Sequence, residues 1–548
     1  MSDIASYTTP PRRDAKGRAS ALGEYVLYNG AIYTLAPSQP KVQALLIRAG
    51  RIAAIGDSAE IRALAGPQAQ TYDLAGRCVL PGFQDAHVHF TEFGLALATV
   101  SLEGALSLQE ALDCVRQRAQ ALPPGEWLQG RGWDYNLWPG AQRPTRHDLD
   151  RAAPHVPVCL ASKDGHSLWV NTLALHRAEI DRNTPDPPGG QILRDEHGDP
   201  TGILTENAQM LIARVLPPPN AKTLDAAARR ALAEAARLGV TSIHNCEGMD
   251  RFATLERLEA AGDLTLRAWH MLPRKALEAA LGLGLRTGFG SEWLKIGHLK
   301  LFADGALGSA TAEMLEPYEG RPGDYGVAAM ATEEIYDTVR RAAQGGIASA
   351  IHAIGDAANR RVLDVYEHVA QELGPLGLRQ RIEHAQLVSP EDMPRFARLG
   401  VTASMQPIHA TQDMEMAERK WGARCRWGYA WRSLLRQGAR LALGTDCPVE
   451  SLDPLRNLYA AVTRRRADGT PLGGWFPEEC LTLAEALTAY TCGSAYASYE
   501  EHFKGTLTPG MAADLVILSE NILQGPPETL LEAHVDATMV GGAFVYER

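Results

Sequence analysis

Eight short apolar runs recur along the chain, and between many of them apolar positions fall at helical spacing. The runs are VLPGFQDAHVHF (79–90), VTSIHN (240–245), LTLRAWHML (264–272), LKIGHLKLFAD (294–304), GIASAIHAIGD (346–356), RIEHAQ (381–386), VTASMQP (401–407) and LALGTDCP (441–448). Each has the length and texture of a strand buried on both faces. The segment TLDAAARRALAEAARLG (223–239) places Leu and Ala at i, i+3, i+4 spacing and ends on Gly, which predicts a helix. SPEDMPRFARLG (389–400) predicts another, opening on a Ser cap and closing on Gly400. Buried strands alternating with amphipathic helices give an α/β protein with a parallel sheet, and eight such strands predict a (β/α)8 TIM barrel.

The two ends of the chain have a different texture. EYVLYNGAIYTL, VQALLIRAGRIAAIGD and QTYDLAGRCVL near the start, and GMAADLVILSE and ATMVGGAFVYE near the end, are short β patterns broken by Gly or Asn. Chain ends often lie close together, so residues 23–78 and 505–548 are expected to form one small β-sandwich. Residues 79–100 and 221–504 then make the barrel. The long gap between the first and second runs exceeds what a crossover helix requires. Residues 101–220 are therefore expected to be an inserted subdomain capping the barrel mouth, with its own strand-like run VPVCLAS. The polar residues 1–22, with Pro10 and Pro11, read as a flexible arm.

Composition narrows the function more than the fold. Hydrophobic residues make up 45% and charged residues 22%, as in ordinary globular proteins. A formal net charge of −11 disfavours nucleic acid and anionic membranes as partners. No apolar run is long enough for a membrane span, and the start lacks the apolar core of a signal peptide. The eight cysteines form no CxxC pair and read as reduced thiols, so the cytoplasm is the expected compartment. A small-molecule substrate is expected, with a homodimer left open.

Ligand-type residues gather at one end of the runs. The first run ends in His87-Val88-His89, and residues i and i+2 of a strand share a face. The fourth carries Lys300, the fifth His352, the sixth His384, and the eighth reaches Asp446 after Gly444-Thr445. Active sites of such barrels lie at the C-terminal ends of the strands. Four histidines and a carboxylate converging there suit Zn²⁺ or another borderline metal. An H-x-H alone means little among 16 histidines; the recurrence at five of the eight runs carries the reading.

These motifs resemble a known family. PGFQDAHVHF is similar to the opening signature of the amidohydrolase superfamily. SKDGHSLWVN, GDPTGILTENA, KLFADGALGSATAEM, IHAIGDAANRRVLD, RIEHAQL and LGTDCPVESLDPL resemble the subgroup that includes N-substituted formamide deformylase. GTLTPGMAADLVIL resembles the segment that returns such chains to the β-sandwich. The resemblance implies His87, His89, Lys300, His352, His384 and Asp446 as metal ligands. It implies two divalent ions, with zinc first and Mn, Fe, Co or Ni as alternatives. It also implies Lys300 carboxylated to N6-carboxylysine as a bridge, and Asp446 as the catalytic proton shuttle.

The expected activity is hydrolysis of a C–N bond in an amide, formamide or cyclic amide by metal-activated hydroxide. An esterase or phosphoesterase using the same site is the alternative enzyme, and a non-catalytic scaffold the alternative class. His166 in the insertion, Asp304 just past Lys300, and Trp133 in GRGWDYNLWPG are candidate substrate-binding residues, each also readable as structural.

Overall fold

The computed structural model describes residues 23–123, 125–163 and 167–548. The chain divides into two compact units, one made of the described residues up to Phe93 with Ala228–Arg548, the other Gly94–Ala227.

In the larger unit, all eight predicted runs contribute strands to one parallel sheet: β1 (Phe83–Val88), β2 (Val240–Asn245), β3 (Arg267–Pro273), β4 (Leu294–Phe302), β5 (Ser349–Ala353), β6 (Arg381–His384), β7 (Thr402–Met405) and β8 (Arg440–Leu443). They pair in chain order. The ring closes through a parallel bridge between Val88 and Cys447. There the Asp446 amide donates to the His87 carbonyl at 2.8 Å, and the His89 amide to the Cys447 carbonyl at 2.8 Å. The closing bonds are thus made by the segments that carry the candidate ligands.

Helices cover the ring because their apolar stripes match it. The helix Asp356–Leu373 buries Val362, Leu363, Val365, Tyr366 and Val369, a helical spacing, and presents polar residues outward. Each such side chain contributes about 1.5–3 kcal/mol when fully buried. The helix predicted over 223–239 runs Ala221–Arg237. The one predicted from Ser389 runs from Met393, after a turn in which the Asp392 and Met393 amides donate to the Ser389 carbonyl. It closes on Gly400 at φ 67°, as its Gly suggested.

The first predicted run divides. Cys78–Pro81 leaves the barrel and pairs antiparallel with Leu515–Leu518. The break falls at Gly82, where a Cβ would lie 2.2 Å from Thr241 Cγ2, so only glycine passes. Cys78–Pro81 joins a six-stranded sheet that mixes both ends of the chain, with Ala31–Tyr33, Lys41–Val42, Val535–Val540 and Ala543–Glu547. A four-stranded sheet built on Tyr25–Tyr28 and Ala44–Arg48 shares its core, where Leu27, Leu45 and Ile47 meet Val79, Leu515 and Ile517. This is the sandwich expected from the terminal segments. Arg267, opening β3, reaches it with a bidentate pair to Asp514 at 2.7 and 3.0 Å, buried at both ends.

Residues 94–227 form a six-stranded sheet that includes Val158–Ser162, the VPVCLAS run. Trp133, Trp138 and Trp169 fill its core. Among the described residues, no helix is long and apolar enough to cross a membrane.

Candidate metal centre

At the C-terminal rim of the barrel, one ligand atom each from His87, His384 and Asp446 lie within 4.8 Å of one another. His87 belongs to β1, His384 ends β6, and Asp446 follows β8. Asp446 Oδ1 is 3.5 Å from His87 Nε2 and 3.3 Å from His89 Nε2. The His352 ring stands 4.6 Å from the His384 ring, centroid to centroid. The tight cluster itself contains neither His89, Lys300 nor His352.

Two of the three clustered residues leave ordinary strand geometry. His384 has φ 73° and Asp446 φ 59°, both left-handed. Such conformations cost about 1–3 kcal/mol each and persist where surrounding contacts impose them. At Asp446 the contacts are visible. Asp85, fully buried in β1, accepts hydrogen bonds from the Thr445 hydroxyl at 2.5 Å, the Thr445 amide at 3.1 Å and the His87 amide at 3.0 Å. Burial pushes the Asp85 carboxyl up to about 7. At His384 the turn has a chemical use: it brings His384 to the site although its strand neighbour Glu383 already faces inward.

Each clustered imidazole has its Nδ1 engaged, leaving Nε2 for a metal. His87 Nδ1 lies 2.6 Å from Glu383 Oε2, and His384 Nδ1 lies 2.9 Å from Gln406 Oε1. His352 uses its other nitrogen, Nε2, on the Gly305 carbonyl at 2.8 Å. A partner of this kind fixes the tautomer and the ring orientation of a ligating histidine. Burial, reinforced by Lys300, holds His87 below the usual histidine range and brings His352 down to about 4. Burial likewise holds His384 well below that range. Neutral imidazoles are the form that binds metal. Burial alone would raise the Asp446 carboxyl, but the surrounding histidines outweigh it and keep the group ionised. Two neutral imidazoles and a carboxylate are a fitting donor set for one divalent metal.

Glu383 is itself locked. Arg381 Nε donates to its Oε1 at 2.7 Å, and the same guanidinium reaches the Ala86 carbonyl, Ser404 Oγ and His244 Nδ1. Burial raises the Glu383 carboxyl, yet Arg381 overrides this and holds it well below the carboxylate range.

Lys300 stands apart. Its Nζ is buried without a hydrogen-bond partner among the described residues, 4.9 Å from the centroid of the Phe302 ring. It borders a cavity of about 170 Å³ whose walls include Cys246, Glu247, Pro273, Phe302 and Met330.

The three candidate substrate residues fare differently. Asp304 accepts the amides of Glu313, Ile354 and Gly355 at 2.8–3.0 Å, and burial pushes its carboxyl up to about 7. It therefore pins the exit of β5 beside His352, whose Nε2 is 3.6 Å away. Trp133 is only 3% exposed and donates its indole N–H to the Leu160 carbonyl, within the core of the 94–227 unit. Its surroundings there are those of a packing aromatic. His166 lies outside the described residues. Sequence reasoning passed over Asp85, Arg381, Glu383, Gln406 and His409. The only available signal was their place one to three residues from a ligand, or just past a strand end.

The Amidohydrolase family profile matches residues 70–546. The chain is similar to Protein LONG AFTER FAR-RED 3 of Arabidopsis thaliana, 34% identical over 98% of this chain and 93% of that one. It is similar to N-substituted formamide deformylase of Arthrobacter pascens, 29% identical over 96% of this chain and 98% of that one. Among solved structures it resembles an uncharacterized metal-dependent hydrolase from Pyrococcus furiosus. That likeness has a TM-score of 0.77 and 30% identity, and covers 91% of this chain and all of the other. With a His-His-Asp cluster able to hold a metal on the rim of an eight-stranded barrel, this chain belongs to the Amidohydrolase family and is a metal-dependent hydrolase of the kind that acts on C–N bonds.

Proposed function

We propose that the protein hydrolyses the C–N bond of a small N-substituted formamide or related amide, with a pair of divalent ions, zinc first, held by His87, His89, Lys300, His352, His384 and Asp446. The observation that carries the reading is the convergence of His87, His384 and Asp446 donor atoms within 4.8 Å. The formamide class is suggested by the name of the Arthrobacter pascens relative.

Lys300 supports the second ion. A buried ammonium without a partner costs several kcal/mol. Carboxylation of Nζ replaces that cation with an anionic oxygen donor, and the adjoining cavity of about 170 Å³ has room for the added group. Bound metal would supply an acidified water and a Lewis acid for the carbonyl oxygen. The chain's own residues do the rest. Asp446 takes a proton from the attacking water as the C–O bond forms, then delivers it to the departing nitrogen as the C–N bond breaks. Glu383 and Gln406 hold His87 and His384 in place throughout. The eight cysteines are all free thiols, which supports a cytoplasmic setting.

The test is a hydrolysis screen of N-formyl, N-acetyl and aryl amides, with aryl esters alongside, on enzyme loaded with Zn²⁺ or Mn²⁺. Amide turnover that falls by about 10²–10⁴ in Asp446→Asn is expected. Asparagine tolerates the left-handed backbone that Asp446 adopts, so the variant should fold. Turnover of esters without amides, or full activity in Asp446→Asn, overturns the reading.

A further inference from the structure

Asp446 has two oxygens, and they face different residues. Oδ1 lies 3.5 and 3.3 Å from the Nε2 atoms of His87 and His89. Oδ2 lies 3.5 Å from Nε2 of His409, a residue outside the proposed ligand set. His409 Nε2 is buried and, among the described residues, has no closer hydrogen-bond partner. An imidazole nitrogen left so costs about 1–3 kcal/mol. At 3.5 Å it faces Oδ2, the second oxygen of the proposed proton shuttle.

The spacing between these two residues is built in. His409 is the third residue of the helix Pro407–Trp421, which begins directly after β7. The fully buried Asn457 ties that helix start to the exit of β8. Its Oδ1 accepts the Ile408 amide at 2.8 Å and its Nδ2 donates to the Gly444 carbonyl at 2.7 Å. Ile408 adjoins His409, and Gly444 is two residues before Asp446. One side chain therefore sets where the imidazole stands relative to the carboxylate. On the same stretch, Gln406 orients His384. The β7 exit thus serves two members of the site without supplying a ligand.

A carboxylate torsion is broad and nearly two-fold, so Asp446 alone would exchange its oxygens readily. We propose that His409 is a positioning residue for Asp446. Its Nε2–H holds Oδ2, keeps Oδ1 turned toward His87 and His89, and so fixes which oxygen carries the proton from water to the leaving nitrogen. In its kinetic arm this rests on the proposed hydrolysis.

The test uses His409→Phe, which keeps the ring and removes the donor, and His409→Gln, whose amide restores a donor. The first readout is the visible spectrum of the Co²⁺-loaded protein, with cobalt per chain measured alongside. His409→Phe should shift the bands at unchanged stoichiometry, His409→Gln should return them toward wild type, and His409→Phe/Asp446→Asn should match Asp446→Asn alone. The second readout is hydrolysis of ring-substituted formanilides. There His409→Phe should lower kcat by about 10- to 100-fold with KM nearly unchanged. The double variant should be no slower than Asp446→Asn, since residues acting as a unit are not additive. An unchanged cobalt spectrum overturns the proposal. So does additive loss in the double variant, a rise in KM at constant kcat, or loss of cobalt in His409→Phe. If wild type hydrolyses no formanilide, the function reading fails, and the spectral arm still decides the role of His409.

Discussion

His87 Nδ1 and Glu383 Oε2 lie 2.6 Å apart, both fully buried, and Arg381 holds the other side of that carboxylate. Two charged groups of β6 are thus committed to the orientation of one ligand on β1. Removing the charge in Glu383→Gln should weaken metal affinity by about 10- to 100-fold. It should also cost about 3–5 kcal/mol of stability, because Arg381 is left as an uncompensated buried cation. The pair Arg381→Met/Glu383→Leu should recover part of the stability and none of the metal affinity, since leucine leaves His87 Nδ1 with no acceptor. Chelator competition and chemical denaturation separate the two effects.

The barrel and the three residues of its cluster were legible because they obey simple rules. Buried strands read as continuous apolar runs, and His87, His384 and Asp446 stand where those runs end. The residues that support the ligands were not legible for equally physical reasons. Strict alternation along RIEH puts Glu383 and His384 on opposite faces, so only one of them would be assigned to the site. The left-handed backbone at His384 breaks that alternation, and no propensity announces φ 73° at a histidine. His409 lies on a helix rather than a strand end, and its closeness to Asp446 depends on Asn457, far along the chain. The division of the first run at Gly82 was hidden because both halves are equally apolar. Only the Thr241 side chain across the gap shows why glycine stands there.

Lys300 supplies a prediction with opposite signs in two states. In the metal-free protein its Nζ, with no hydrogen-bond partner among the described residues, is a burden that the Phe302 ring only partly offsets, and Lys300→Met removes it while keeping the stem volume. The metal-free variant should melt no lower than wild type by calorimetry. Loaded with zinc in bicarbonate buffer, the same variant should bind about one ion fewer per chain and lose hydrolysis, as the proposed role of Lys300 in holding a second ion requires. A metal-free variant that melts well below wild type would mean that Nζ has a stabilising contact.

Gly444 tests how tightly the rim is assembled. A Cβ there would stand 2.5 Å from the His87 amide nitrogen and 2.6 Å from Asp85 Oδ1. Neither can retreat, since that amide and that carboxylate are bonded to each other and Asp85 also binds Thr445. Gly444→Ala should therefore displace β1 from β8 where the ring closes. Overpacking of this kind costs about 1–3 kcal/mol. Metal content should fall with it, since His87 and Asp446 sit on the two strand exits being forced apart. Metal analysis after gel filtration, with melting temperature as the companion, measures both.

Where β4 begins, Glu500 sets an acid limit on the fold. It is paired with Lys504 at 2.8 Å and Lys295 at 2.9 Å, and Lys504 also reaches Ser242 at the start of β2. Burial would raise the Glu500 carboxyl, but the two lysines outweigh it and bring it to about 2, from an ordinary 4.5. A carboxyl depressed on folding contributes stability that is fully present above its ordinary range and is lost as pH falls toward its folded value. The depression is equivalent to about 3 kcal/mol. Glu500→Gln should thus be less stable than wild type near neutrality by about that amount or more, because Lys504 is left buried without its carboxylate. The gap should narrow between about pH 4.5 and pH 2, as wild type takes up the proton that the variant never needs. Urea denaturation across that range measures it. A gap that stays constant to the acid end would mean that the pair adds no stability through its charge.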